Sequence, residues 1–262
     1  MTLPPGFAFT QTALRAYQEC PYQFRLRYLE GVPWSALPLD PAAEPAIERG
    51  RLFHELARQH FLGLDVADQA EALGEVGRAW WQSLRAGPSD LAAYPRRFPE
   101  AGLSVPLGAY RLAARYDLLA VGAGRALIVD WKTGADLRPA TLRSDIQTRV
   151  YLYVLAVGGA TYHAGRPLPA QELGLLYWHP RGPQQVHCGY SPAQQAADGA
   201  LLAALVGEIA ARRPEELLPT ADQRACALCA YATLCGTGPG SAAEWEAEEP
   251  RDWEVDGWEA AP

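Results

Sequence analysis

Lysine is almost missing from this sequence of 262 residues: 22 of its 23 basic residues are arginine, and Lys132 is the only lysine. Arginine does not readily lose its proton, whereas lysine carries a compact ammonium group whose pKa is easily tuned. Two explanations are open. Either one lysine has survived by chance in an arginine-rich chain, or the chemistry at position 132 accepts no substitute.

Long hydrophobic runs are also missing, and no run reaches the roughly 18 apolar residues of a membrane-spanning helix. The N-terminus lacks the basic and then apolar layout of a secretory signal peptide. We therefore expect a soluble cytoplasmic protein without a membrane partner. In that compartment the odd number of cysteines, five, argues against a disulfide framework.

A positive net charge, which would favour DNA binding, is absent as well: the formal net charge is −7. Residues 242–262 hold eight of the 30 acidic residues and one of the 23 basic residues, so residues 1–241 are neutral. Because net charge governs steering rather than fold, a neutral body can still present a basic groove. The charge balance therefore does not exclude a DNA-binding protein.

The acidic tail, residues 240–262, also contains Trp245, Trp253 and Trp258. Its composition predicts disorder in isolation. Two roles are open for it. The tail either keeps the protein in solution, or its acids and tryptophans imitate the phosphates and bases of DNA or dock a protein partner.

The pattern of hydrophobic residues predicts one domain over residues 1–239, with a helical part (1–100), a core (101–212) and a cysteine cluster segment (213–239). Helices are predicted over 9–29 with an interruption at Cys20 and Pro21, and over 46–62, 66–86, 139–157 and 192–212. Strands are predicted within 103–120 and over 126–131, 172–178 and 184–190. This order of helices and strands indicates the α/β class.

Two aspartates and the lysine occur on the central pair of predicted strands. Asp130 and Lys132 lie two residues apart, so their side chains point to the same face, and Asp117 lies on the preceding strand. Carboxylates together with a backbone carbonyl, for which that of Trp131 is the candidate, suit Mg²⁺ or Mn²⁺. A surface Asp–Lys pair is the plain alternative. However, an aspartate that ends a buried apolar strand needs a partner or a metal ion.

The segment Asp130-Trp-Lys-Thr-Gly134 resembles the core motif of RecB-like nucleases in the PD-(D/E)XK superfamily. The resemblance implies an α/β, restriction-endonuclease-like core in which a central mixed sheet is flanked by helices. It also implies that Asp117, Asp130 and Lys132 are catalytic residues of metal-dependent phosphodiester hydrolysis. In this family the two aspartates hold the metal ion and the lysine helps to activate water.

Two further segments match motifs of the same family. Gly50-Arg-Leu-Phe-His54 is similar to its Gly-x-x-x-His helix, which implies that His54 is a metal ligand beside Asp117, Asp130 and the Trp131 carbonyl. Gln147-Thr-Arg-Val-Tyr151 resembles its Gln-x-x-x-Tyr helix, whose spacing puts both side chains on one helix face. The resemblance thus adds Gln147 and Tyr151 to the catalytic site.

Two arginines near this helix motif are candidates for DNA binding. Arg143 lies one turn before Gln147 on the same face of the predicted helix, and Arg149 lies within the motif. Arginine binds phosphate groups bidentately, so both are expected to contact DNA phosphates. Thr148 stands where the family has an apolar residue, which is a mild departure.

Three of the five cysteines, Cys226, Cys229 and Cys235, fall within ten residues. They can surround one centre, with Cys20 or Cys188 as a fourth ligand, and four thiolates suit either zinc or an iron–sulfur cluster. The chain is similar to RecB-like nucleases that have one cysteine before the core and three after it. That resemblance implies a [4Fe-4S] cluster on Cys20, Cys226, Cys229 and Cys235, with zinc as the alternative. Cys188 is then interpreted as a small buried residue.

The function that we expect is a stand-alone Mg²⁺- or Mn²⁺-dependent deoxyribonuclease. It would act as an exonuclease on single-stranded DNA or DNA ends, in repair or recombination; no helicase motif of the Walker A type is present. Two alternatives are open: a nuclease similar to CRISPR-associated ones that trims new spacers, and a non-catalytic DNA-binding adaptor. The intact set of Asp117, Asp130 and Lys132 argues against the adaptor.

Overall fold

The computed structural model describes residues 3–33, 44–134, 137–181, 185–227, 229–232 and 234–236. The predictions for the acidic tail therefore concern residues outside the described ones. Within the described residues, no helix has the length and apolar character needed to cross a lipid bilayer.

A mixed sheet of six strands lies at the centre of the described residues. The strands are β1 (Ala8–Phe9), β2 (Arg96–Leu107), β3 (Tyr110–Val121), β4 (Ala126–Trp131), β5 (Leu173–Trp178) and β6 (Gln185–Gly189). Strand β3 pairs antiparallel with β2 and β4, β4 pairs parallel with β5, and β5 pairs antiparallel with β6. The two residues of β1 pair parallel with the first part of β3. The predicted α/β class and central mixed sheet are confirmed.

Helices precede, connect and follow the strands. They are α1 (Gln11–Glu19), α2 (Pro21–Phe24), α3 (Glu44–Phe61), α4 (Ala67–Ala72), α5 (Gly74–Ala86), α6 (Pro139–Ser144), α7 (Ile146–Gly158), α8 (Pro192–Ala211) and α9 (Gln223–Ala227). A π-helical turn, Arg25–Leu29, follows α2. Helices α6 and α7 form the crossover that a parallel pairing of β4 and β5 requires.

The helices form two layers, one on each face of the sheet. Helices α1, α7 and α8 cover one face, called the first layer, and α3, α4 and α5 cover the other, called the second layer. On β4, Ile128 packs into the first layer and Val129 into the second, and every residue of the strand is buried. Burial on both faces explains why β4 is a run of apolar residues until Asp130.

Strand β3 changes its orientation at Asp117. Tyr116 and Leu119 both pack into the first layer, although strict alternation would send residues three apart to opposite faces. On the neighbouring β2, Glu100 stands at the same level and has a φ of 51°, a value that residues other than glycine rarely adopt. Because of this irregularity, the alternation of side chains between the two layers is interrupted at Asp117.

The prediction of one helix over 139–157 is wrong, because the chain breaks at Asp145. This residue has an extended conformation, with φ of −62° and ψ of 147°, and its carboxylate accepts the Gln147 N–H at 2.7 Å. Asp145 is therefore the N-cap of α7. Arg143 lies on α6 and does not share the helix face that carries Gln147.

Three other boundaries differ from the sequence pattern. The predicted helix 66–86 consists of α4 and α5, since Gly74 has a φ of 72°, which interrupts a right-handed helix. Strand β2 begins at Arg96, inside the part predicted to be helical. Strand β1 has two residues and is too short to produce a periodic pattern.

We expect Asp145→Ala to lower the free energy of unfolding by about 1–2 kcal/mol, because α7 loses its N-cap. The variant also removes the ion pair between Asp145 Oδ1 and Arg15 Nη2, which are 2.6 Å apart. Asp145→Asn keeps a capping side chain and removes only the charge, so it should cost less than about 1 kcal/mol. Urea denaturation measures both, and equal losses would show that the ion pair rather than the cap holds α7.

Candidate active site

The candidate site lies where β3 and β4 separate. Their ladder ends at the pair Leu118–Val129, and beyond it the Trp131 N–H donates to Asp117 Oδ2 at 2.8 Å instead of to a backbone carbonyl. Asp117 is buried. A strand residue directs its N–H and its C=O to the same side, so the Trp131 carbonyl also points towards β3. Asp117 and this carbonyl thus share one side of β4.

Asp130, Lys132 and Gln147 form a closed cycle of polar contacts. Gln147 Nε2 donates to Asp130 Oδ1 at 3.0 Å, and Lys132 Nζ donates to Gln147 Oε1 at 3.0 Å. Lys132 Nζ also lies 3.1 Å from Asp130 Oδ2, with the Asp130 side chain 0% exposed and that of Lys132 14% exposed. The structure therefore brings these three predicted residues together in a nearly dry environment.

Tyr177, which the sequence analysis missed, lies beside this cycle. Its ring centroid is 5.3 Å from Lys132 Nζ, and its hydroxyl is 2.7 Å from Thr148 Oγ1. Burial, followed by the nearby charge of Asp130, raises the pKa of Tyr177 well above its usual value, so the hydroxyl stays protonated. The contact also explains the polar Thr148 at a position where the family has an apolar residue.

Tyr151 lies one turn after Gln147 on α7 and is buried. Its ring packs edge-on against that of Tyr116, with centroids 5.2 Å apart, and its backbone carbonyl accepts the Tyr116 hydroxyl at 3.1 Å. These contacts fasten α7 to β3. A catalytic role for Tyr151 stays a prediction.

Helix α3 brings His54 to the other side of the site. His54 Nδ1 lies 3.4 Å from Asp117 Oδ1, and the histidine side chain is 17% exposed. The preceding residue, Phe53, holds the helix on the sheet, because its ring stacks on that of Trp178 at 6.4 Å and meets Trp80 edge-on at 5.7 Å. His54 is thus fixed beside Asp117 by the packing of its neighbour.

The donor atoms of this site suit a hard divalent cation. They are two buried carboxylates, a backbone carbonyl and an imidazole. Asp130 Oδ2 accepts no hydrogen bond from any residue that the structure describes, so a buried anionic oxygen keeps a lone pair for a cation. In their present positions, no three His, Cys, Asp or Glu side chains of the described residues are close enough to hold one metal ion.

The two arginines predicted to contact DNA lie in different surroundings. Arg143 is exposed on α6. Arg149 Nη1 lies 2.6 Å from Asp198 Oδ1, and Asp198 Oδ2 also accepts the Tyr190 hydroxyl at 3.1 Å. A phosphate at Arg149 would have to displace this largely buried partner. Phosphate contact by either arginine stays a prediction, and the ion pair argues against it for Arg149.

Among the described residues, Cys20, Cys226, Cys229 and Cys235 lie in one region between the end of α1 and α9, but no three of them are placed to hold one metal ion. Cys20 ends α1 and is buried. Burial, with smaller contributions from the nearby Cys20, Cys235 and Cys226, raises the pKa of the Cys229 thiol to about 11. Cys188 lies on β6 and is 5% exposed, as predicted for a small buried residue. All five cysteines belong to the described residues, and none forms a disulfide.

Comparisons with known proteins identify a superfamily and a shared fold. The PD-(D/E)XK nuclease superfamily matches residues 8–236, a range that includes every predicted site residue. No curated protein matches the chain.

Two solved structures are similar to this chain. The crystal structure of a candidate exonuclease from Eubacterium rectale is 12% identical, with a TM-score of 0.50, and the match covers 77% of this chain and 79% of that one. The crystal structure of SSO0001 is 14% identical, with a TM-score of 0.43 and coverage of 88% and 86%. At these identities the likeness concerns the fold alone.

We expect Mn²⁺ or Mg²⁺ to raise the melting temperature, because a ligand that binds only the folded state stabilises it. A cation at a hundred times its Kd adds about 2.7 kcal/mol. Asp117→Asn and Asp130→Asn should abolish the shift, whereas Asp222→Asn, an exposed residue, should keep it. Thermal unfolding with and without the cation measures the shift, and a full shift in Asp130→Asn would place the cation elsewhere.

Proposed function

We propose, from the premise that the chain belongs to the PD-(D/E)XK nuclease superfamily, that it is a Mg²⁺- or Mn²⁺-dependent deoxyribonuclease. The observation that carries the proposal is the cycle of Asp130, Lys132 and Gln147 next to Asp117. A buried carboxylate whose second oxygen accepts no hydrogen bond from the described residues, with an ammonium 3.1 Å away, suits cation binding better than a purely structural role.

Asp117, Asp130, His54 and the carbonyl of Trp131 would hold the cation. Its chemistry, when bound, is to lower the pKa of a water molecule and to neutralise charge on a phosphate oxygen. Lys132 is held by Gln147 and by the Asp130 carboxylate, so its ammonium points in a fixed direction. In that position it would orient the attacking water and stabilise the negative charge that develops on the phosphate.

The narrower proposal is exonuclease action on single-stranded DNA or DNA ends, in repair or recombination. The description of the Eubacterium rectale structure as a candidate exonuclease supports the first part. The RecB-like character is proposed from the three sequence motifs, and the contacts of His54 with Asp117 and of Gln147 with Asp130 support it.

We expect Asp130→Ala and Lys132→Ala each to lower kcat by roughly a thousandfold, since the first removes a ligand of the cation and the second removes the ammonium that stabilises the developing charge. The fold and DNA binding should be largely kept. Cleavage of single strands and duplexes labelled at the 5′ or the 3′ end measures the rate, and release of the label from one end only identifies an exonuclease. Arg213→Ala, an exposed residue with acidic partners, is the control. Full activity in both variants would contradict the site assignment.

The single lysine offers a second measurement of the same role. An amine-selective acylating reagent can modify only Lys132 and the N-terminal amino group. Peptide mapping separates the two products, and loss of activity should follow acylation of Lys132 alone. Activity that survives complete acylation of Lys132 would contradict its catalytic role.

We also propose a [4Fe-4S] cluster on Cys20, Cys226, Cys229 and Cys235. The fit rests on donor chemistry, because four half-buried or buried thiols lie close enough to raise the pKa of Cys229. Thiols in such an environment need a strong positive centre to deprotonate, and iron or zinc supplies it. The cluster would join the end of α1 to the region after α8.

Protein purified without oxygen should be brown and should contain about four irons and four sulfides per chain. Cys20→Ser should lose the colour, whereas Cys188→Ser, which alters a buried cysteine outside the set, should keep it. Visible absorption and metal analysis make the distinction. A colourless chain with one zinc per molecule would replace the cluster by zinc, and a chain with neither metal would contradict the ligand set.

A further inference from the structure

Two arginines converge on the indole of Trp80 near the candidate active site. The guanidinium carbon of Arg181 lies 5.5 Å from the Trp80 ring centroid, and that of Arg49 lies 5.9 Å from it. Arg49 comes from α3, five residues before His54, and Arg181 follows the end of β5. Trp80 itself is buried and fixed by Phe53, so the indole is a rigid support for both cations.

Neither cation has a carboxylate partner among the residues that the structure describes. In contrast, Arg149 is paired with Asp198 at 2.6 Å and Arg58 with Glu55 at 2.6 Å. Arg49 Nε is buried and makes no hydrogen bond to a described residue. A buried N–H of a charged group without an acceptor is costly. An anion bound by both guanidinium groups would supply an acceptor.

Arg181 contacts the loop that follows β4, which contains Thr133 and Gly134. Its Nη2 donates to the carbonyl of Thr133, the residue after Lys132, at 3.2 Å. The Arg181 N–H also donates to His179 Nδ1 at 3.0 Å, while His179 Nε2 lies 3.1 Å from the carbonyl of Gly134. The turn after β5 therefore holds the loop after β4, and the exposed guanidinium of Arg181 stands beside it.

Arg49 lies on the same helix as His54, so helix geometry relates the two residues. Five residues of α-helix rise about 7.5 Å along the axis and turn the side chains about 140° apart, so Arg49 lies more than one helical turn from His54. Consecutive phosphates of a DNA strand are separated by a comparable length. An anion held by the two arginines would thus be adjacent to one bound at Asp117 and Asp130, rather than the same one.

We propose that Arg49 and Arg181 clamp a phosphate of the substrate strand next to the one that is cut. The inference rests on the proposed nuclease function and deepens it. Guanidinium groups match phosphate oxygens with paired N–H donors, so a phosphate is the anion that this pair fits. Because Trp80 is buried, the clamp recognises the backbone and not a base. Arg49 and Arg181 are binding residues of the substrate and do not act on the reacting bond.

Binding of a fluorescent single-stranded oligonucleotide, in Ca²⁺ to prevent cutting, tests the clamp over a series of salt concentrations. Arg49→Gln and Arg181→Gln should each raise Kd about tenfold. The slope of log K against log salt should fall by about 0.7 in the double variant, as expected for the loss of one phosphate contact. Arg49→Lys and Arg181→Lys keep the charge, so they should keep the slope while binding more weakly. In cleavage assays the double variant should raise KM and leave kcat within a fewfold range.

Arg78→Gln is the matched control, since Arg78 lies on the helix of Trp80 and is paired with Glu71 at 3.3 Å. It should change neither Kd nor slope. The clamp would be overturned if the double variant had the KM of the original chain in cleavage and the same salt slope in binding. That result would leave the proposed function intact. A double variant with a higher Kd and an unchanged slope would also overturn it, because packing on Trp80 rather than charge would then explain the loss. An original chain that neither binds nor cuts DNA would overturn the proposed function itself, and the clamp with it.

Discussion

Asp130 places a carboxylate with no solvent exposure directly after the apolar residues of β4. An isolated buried charge costs several kcal/mol, more than one ordinary hydrogen bond returns, so the surrounding chain must compensate it. Gln147 and Lys132 supply that compensation in the absence of a cation. Gln147 reaches Asp130 because it lies in the first turn of α7, which begins at Ile146. The cap at Asp145, whose carboxylate also pairs with Arg15 of α1, fixes where α7 begins and thereby where Gln147 lies.

The separation of β3 and β4 is the second part of this arrangement. If β3 and β4 continued to pair, the Trp131 N–H would donate to a backbone carbonyl of β3 and the strands would not separate. Asp117 takes the place of that carbonyl, and its change of face in β3 makes the substitution possible. The Trp131 indole, on the opposite face from Asp130, stacks on Phe61 at the end of α3 with centroids 5.9 Å apart. Successive residues of β4 therefore alternate between the polar site and the packing that positions α3 with His54.

The sequence could predict those parts of the site that depend on short spacing. Asp130 and Lys132 share a face because strands alternate, and Gln147 follows from a helix motif next to them. Tyr177 could not be found in this way, since it meets Asp130 only through the register of β4 with β5. The shared face of Arg143 and Gln147 was predicted wrongly because helical periodicity continues through Asp145, whereas the side-chain cap interrupts the backbone. The periodicity of the sequence therefore could not predict contacts between strands that are distant in sequence or the end of a helix at a capping side chain.

The contrast between lysine and arginine follows from the same geometry. Lys132 Nζ fits between Asp130 Oδ2, Gln147 Oε1 and the ring of Tyr177, with 14% of its side chain exposed. A guanidinium there would be larger and planar, whereas Asp130 Oδ2 and Gln147 Oε1 both lie within 3.1 Å of the single ammonium nitrogen. The guanidinium of Arg181, in contrast, is exposed, and its planar arrangement of N–H donors suits contact with a phosphate. The packing around Asp130 therefore favours the second explanation for the only lysine: its compact ammonium is the cation that this cavity accepts.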